Sequence, residues 1–152
     1  MTDNAKNAIA PALTCQFATI IPTLRYRDAA AAVEWLGQAF GFEKHLVVPG
    51  SDGTITHAQL VFGNGMIMVG TAHKDEFGRL QQPPSQVDAV VTQSPYILVE
   101  DVDQHYQRAI AAGAKIVLEI QDQDYGGRDY SCRDPEGHVW IFGNYNPWNT
   151  DQ

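Results

Sequence analysis

From Ala18 onward the chain repeats one order of elements: strand, helix, then three strands. Ala18–Tyr26 (ATIIPTLRY) is rich in β-branched residues and reads as a strand. Asp28 is placed to cap a helix over Ala29–Phe40, with Val33, Leu36 and Phe40 on one face, and Gly41 stands where helices stop. Strand-like runs follow at Glu43–Val48, Thr54–Phe62 and Met66–Gly70, separated by Pro49–Gly53 and Gly63–Gly65. The order then returns. Pro95–Val99 is a strand, and Asp101 caps a helix over Val102–Ala112 with Val102, Tyr106, Ala109 and Ile110 on one side. Gly113 ends that helix, and strands are expected over Lys115–Ile120, Asp129–Arg133 and His138–Gly143. Laid on each other, Gly65 falls on Gly137, an offset of 72, and Asp28 on Asp101, an offset of 73.

One such unit cannot bury both faces of its sheet, but two fused units can. The expected fold class is therefore α+β: two tandem βαβββ modules forming a curved mixed sheet around a cavity, with the helices outside. The organisation read from the sequence is a flexible arm over residues 1–16, a first module over 17–70, a polar linker or lid over 71–94 containing Pro83-Pro84, and a second module over 95–148.

Composition narrows the function classes. A net charge of −8 repels a phosphate backbone and offers no basic patch to anionic lipid, so neither nucleic acid nor a membrane is expected as partner. The N-terminus lacks a basic start followed by an apolar run, and no apolar stretch approaches the length of a membrane span. Two cysteines, Cys15 and Cys132, make no disulfide framework and no CxxC pair, which points to free thiols and a cytoplasmic location. Walker loops, dinucleotide fingerprints, GxSxG elbows and HExxH are absent from the sequence.

The motifs Leu24-x-Tyr26-x-Asp28 before an Ala-rich helix, Val99-Glu100-Asp101-Val102-Asp103, Ala111-Ala112-Gly113-Ala114, and Arg133-Asp134-Pro135-Glu136-Gly137-His138-Val139-Trp140 together resemble the vicinal oxygen chelate superfamily, which includes glyoxalases, bleomycin-resistance proteins and extradiol dioxygenases. The resemblance covers Thr19 to Trp148. It implies a small-molecule cavity, and in the enzymes a divalent metal held by one residue from the first and one from the last strand of each module. Those positions fall on Ile21, Val69, Ser94 and Ile141, none a usual metal ligand. A slip of one residue brings in Gln93 as the sole ligating neighbour. The chain is thus expected to bind no metal and no cofactor, as in the metal-free, glyoxalase-like branch.

Strand alternation, with its phase set by these implied positions, sorts the other side chains. Ile21, Thr23, Arg25, His57, Gln59 and Val61, with Ser94, Tyr96, Leu98, Asp129, Ser131 and Arg133, are expected to face the cavity. Leu24, Tyr26, Ala58, Leu60, Phe62, Tyr130, Cys132, Trp140 and Phe142 are expected to pack under the helices. The candidate ligand-binding residues are Arg25, His57, Gln59, Tyr96, Asp129 and Ser131, with Tyr96, Tyr125 and Trp140 as candidate stacking surfaces for a planar ligand. Competing structural roles are a surface ion pair for Asp129 with Arg128, a rim-holding role for Arg25 and Arg133, and a turn role for His138. His73 and His105 are expected to be exposed, and Cys132 to be core.

The function expected is binding of a small organic molecule in the cavity of the curved sheet without metal. The alternative is a metal-dependent lyase, isomerase or dioxygenase with a non-standard ligand set, such as His57 with Gln59 or Asp129. A homodimer is compatible with either, because modules of the superfamily also pair between chains.

Overall fold

The computed structural model of the chain describes residues 17–86 and 89–149; the arm expected over residues 1–16 lies outside them. The first module runs β1 (Thr23–Tyr26), α1 (Ala29–Phe40), β2 (Glu43–Pro49), β3 (Ile55–Phe62) and β4 (Gly65–Thr71). The second runs β5 (Tyr96–Leu98), α2 (Val102–Ala111), β6 (Lys115–Asp122), β7 (Arg128–Arg133) and β8 (Val139–Gly143). Each module builds a four-stranded mixed sheet of the same order: β1-β4-β3-β2, called sheet A, and β5-β8-β7-β6, called sheet B. The first strand is parallel to the last in both, and the other pairs are antiparallel. The duplication read from the sequence is thus present strand for strand. The modules contribute one four-stranded sheet each, and among the described residues no ladder joins the two.

Local chemistry accounts for the helix boundaries. Asp28 Oδ1 accepts from Ala31 N at 3.0 Å, and Asp101 Oδ1 accepts from Gln104 N at 3.0 Å, each satisfying a free N-terminal donor. Gly41 closes α1 at φ 92°, a left-handed conformation that a β-carbon disfavours. The inward face of α1 is Ala29, Ala32, Val33, Leu36, Ala39 and Phe40, all buried. On α2 only Val102 and Ala109 are buried, and Ile110 turns partly to solvent instead of joining them.

The helix-facing sides of both sheets feed one core. Phe40 of α1 touches Trp140 and Phe142 of β8, with ring centroids 5.5 and 4.6 Å apart. Phe62 of β3 meets His105 of α2 at 6.2 Å. The helices also cap each other. At the C-terminus of α1, Gln38 O accepts from Arg108 Nε at 2.8 Å and Phe40 O from His105 Nε2 at 2.9 Å, while Gly37 O accepts from Arg108 Nη2 at 2.9 Å in addition to the capping Gly41 N–H. Both sheets therefore turn their helix-packed faces toward a shared centre and their other faces away from it.

Candidate functional site

The two outward faces carry the candidate residues in matching rows. On sheet A, Thr23 pairs with Met68, and Met68 with Gln59; Arg25 pairs with Gly70, and one further step of the same register sets His57 opposite Gly70. On sheet B, Tyr96 pairs with Ile141, and Ile141 with Ser131; Leu98 pairs with Gly143, and Gly143 with Asp129. Arg25, Gly70 and His57 thus correspond to Leu98, Gly143 and Asp129, and Thr23, Met68 and Gln59 to Tyr96, Ile141 and Ser131. Each sheet gathers three of the six candidates, and the two groups of three stand on different faces of the chain.

This register corrects one position. Val69 is 1% exposed and packs under the helices beside Leu24, so it does not lie on the outward face; Met68 does. The cause is turn length. Phe62 pairs with Gly65 across a two-residue turn, whereas Asp134 N donates to His138 O across a three-residue turn, which moves the offset from 72 on β7 to 73 on β8. The positions equivalent to the family's ligand set are therefore Ile21, Met68, Ser94 and Ile141. Two aliphatic side chains, a thioether and a hydroxyl do not fit a hard or borderline divalent ion, which requires several converging oxygen or nitrogen donors. Among the described residues no three His, Cys, Asp or Glu side chains are grouped to share a metal ion. His57 and Asp129, suggested above as alternative ligands, lie on separate sheets.

On sheet A, Gln59 Nε2 donates to His57 Nε2 at 3.2 Å, an arrangement that leaves the ring proton on Nδ1. The Arg25 guanidinium lies against Gly70, where a side chain would collide with it, and over the ring of Phe77 at 5.0 Å. Phe77 belongs to the segment between the modules, which is ordered across 71–86 and tied to β1 by Gln81 Nε2 donating to Thr23 O at 2.8 Å. Pro83 is fully buried, and Ser85 N donates to Glu136 O at 3.1 Å, so the segment straps sheet A to the turn before β8.

On sheet B, Asp129 accepts from Gln123 Nε2 at 2.8 Å and from Tyr125 OH at 3.2 Å. Arg128 pairs with Asp103 and Asp122, so the Asp129–Arg128 pair considered from the sequence does not form. Tyr96 OH donates to Tyr145 O at 2.8 Å and lies over Gly143. Tyr125 and Tyr145 meet edge to face at 5.2 Å. Burial, then the nearby Asp129 carboxylate, raises the Tyr96 phenol above its usual range, so it stands as a neutral hydrogen-bonding group. The result is an aromatic corner around one carboxylate. Ser131 is 7% exposed, at the base of this face.

Several side chains take structural roles. Trp140 is fully buried, donates from Nε1 to Asp134 Oδ2 at 3.0 Å, and offers no surface for stacking on a ligand. Arg133 Nη1 donates to Ala89 O and Gly137 O, holding strap and turn. His138 Nε2 donates to Arg25 O at 2.8 Å. His105, expected to be exposed, is wedged between the modules: Nε2 donates to Phe40 O, and Tyr130 OH donates to Nδ1 at 2.6 Å. His73 is exposed and Cys132 is core, as expected. Phe77, Gly70, Gln123 and Tyr145 were not singled out from the sequence. The first two meet Arg25 only through the strap and the sheet register, signals that no local motif carries.

Two fused βαβββ modules, each with a polar, partly aromatic outward sheet face, define an α+β class of duplicated-module proteins. Residues 17–142 match the sequence model of the Glyoxalase/Bleomycin resistance protein/Dioxygenase superfamily, and the chain belongs to that superfamily. An uncharacterised Mycobacterium bovis protein, Mb0911c, is 33% identical over 122 residues, covering 80% of each chain. The crystal structure of TioX from Micromonospora sp. ML1 is 35% identical, with a TM-score of 0.67, over 84% of this chain and 98% of that one. A superfamily enzyme from Burkholderia phytofirmans PsJN shares the fold at 22% identity and a TM-score of 0.62, over 80% of this chain and 94% of that one. No helix among the described residues is long and apolar enough to cross a membrane.

Proposed function

We propose that the protein binds a small, partly aromatic organic molecule, without a metal, in a cavity closed by sheet A of one copy and sheet B of a second. One observation carries this reading: the two groups of candidate residues line faces that point away from a shared core, so a single chain presents two open half-sites. Their exposure supports it. Ile21, just before β1, and Tyr96 and Leu98 of β5 are 37%, 37% and 40% exposed, leaving apolar surface open beside these faces. Ligand pockets are concave and mostly apolar with a few placed polar groups, and the two walls together supply that mixture: Met68, Ile141 and Tyr96 with Arg25, His57, Gln59 and Asp129. The Ile, Met, Ser and Ile at the family's ligand positions support binding without metal.

Sedimentation equilibrium combined with a thermal-shift panel of planar aromatic compounds tests this. A dimer is expected, with hits that saturate at one compound per chain and are insensitive to chelator. At 100-fold over the dissociation constant such a compound adds about 2.7 kcal/mol of stability. A monomer that binds the same compounds contradicts the shared cavity, and hits that require added divalent metal contradict the metal-free reading.

A further inference from the structure

On the outward face of sheet A, the Arg25 guanidinium has no hydrogen-bond acceptor and no carboxylate within ion-pair distance among the described residues. A guanidinium cannot shed its proton and carries five N–H donors that need acceptors. The chain holds 18 acidic residues against 10 basic ones, yet none of the described carboxylates is spent on Arg25. Three features hold it in place. Phe77 braces one side at 5.0 Å, Gly70 leaves the space that its Nη1 occupies, and β1 fixes its Cα opposite Gly70. In the same row, His57 has its Nε2 taken by Gln59, which leaves Nδ1–H to point elsewhere.

We infer that Arg25, braced by Phe77 over Gly70, is a subsite for a planar oxyanion, such as a carboxylate carried on the aromatic ligand. This rests on the small-molecule cavity proposed above and narrows its ligand class to aromatic acids. A planar carboxylate matches the guanidinium fork with two parallel hydrogen bonds. The aromatic ring bearing it extends along the sheet toward Met68 and the partner copy's tyrosine-rich corner. Asp129 sits on the opposite wall, with its oxygens already engaged by Gln123 and Tyr125, and so does not compete for Arg25.

The test is isothermal titration of 2-naphthoate and of its neutral counterpart 2-naphthamide into the purified full chain, Arg25→Gln and Gly70→Ala. The wild-type protein is expected to prefer the acid by about tenfold or more, the value of one charge-assisted contact. Arg25→Gln removes the preference by weakening the acid alone. Gly70→Ala keeps the charge but displaces the guanidinium, and weakens the acid in the same direction. Both variants keep the wild-type circular dichroism, and Arg25→Lys recovers only part of the preference because an ammonium lacks the fork. Equal affinity for acid and amide in the wild type overturns the subsite, as does an acid preference that survives Arg25→Gln, or absence of binding by both compounds. The sedimentation and panel results above stand or fall separately, which keeps failure of the subsite distinct from failure of the cavity.

Discussion

The hydroxyl of Tyr26, at the end of β1, donates to Asp134 Oδ2 across 2.6 Å, joining the first module to the turn before the last strand of the second. Asp134 is 4% exposed and fully engaged: Oδ2 also accepts from Trp140 Nε1, and Oδ1 from the backbone N–H groups of Glu136 and His138. Next to it, Glu136 accepts from Arg27 N and Asp28 N. The Asp-Pro-Glu-Gly-His turn is thus the clasp between modules. Burial, then the Asp134 charge, pushes the Tyr26 phenol well above its ordinary range, so its proton stays on oxygen.

Asp134→Ala orphans two buried donors, Tyr26 OH and Trp140 Nε1, at about 1–3 kcal/mol each, and is expected to cost at least about 2 kcal/mol in urea denaturation. Tyr26→Phe, which removes one bond and leaves Oδ2 held by Trp140, costs about 1–2 kcal/mol. Equal, small losses in both would show that the clasp is not a single network.

His105 gives the fold a pH dependence of known sign. Burial lowers its pKa below 6.5, outweighing the opposite pull of its bond to Phe40 O, and the Arg108 cation lowers it further. Above pH 6.5 the ring is neutral folded and unfolded, and its contribution is flat. As pH falls below 6.5, the unfolded chain takes up the proton first, and stability declines until the folded ring is protonated as well. Chemical denaturation between about pH 7 and 5 should show this decline, with a shallower slope in His105→Gln.

Cys132 is fully buried on β7, and burial, with Asp134 adding to it, pushes its thiol up to about 12. The thiolate is the reactive form. In a Cys15→Ser background the native protein should be inert to an aromatic disulfide reagent at pH 8, reacting only when unfolded. Rapid labelling of the folded chain would place Cys132 outside the core.

Gly143 tests the corner on sheet B. A β-carbon there would approach Tyr96 OH at 2.7 Å and Asp129 Cβ at 2.8 Å. Gly143→Ala is expected to displace Tyr96 and weaken the panel compounds severalfold, whereas Tyr96→Phe, which loses only the bond to Tyr145 O, weakens them less. Titrating both variants with one compound checks the order.

The repeat made the fold legible. Helix α1 matched at both ends because Asp28 and Gly41 are local signals, whereas the strand read over Ala18–Tyr26 shortened to Thr23–Tyr26, as Pro22 supplies no ladder donor. The common face of Arg25, His57, Gln59, Tyr96, Asp129 and Ser131 was legible from strand alternation once the family resemblance set its phase. Val69 was misplaced because one residue in a turn inverts every side chain on the strand that follows. The roles of His105 and Phe77 depend on contacts with residues far away in sequence, Phe40 and Arg25, and alternation within one element holds no trace of them.

A cavity shared between copies predicts complementation. His57→Trp blocks the sheet A wall and Leu98→Trp the sheet B wall; both positions are open enough to accept the ring. Each variant alone should fail to bind 2-naphthoate. When the two are refolded together in equal amounts, random pairing makes half of the dimers mixed, each with one intact site of two, so about a quarter of wild-type capacity should return. No recovery in the mixture, or full binding by either variant alone, would contradict a site built from two chains.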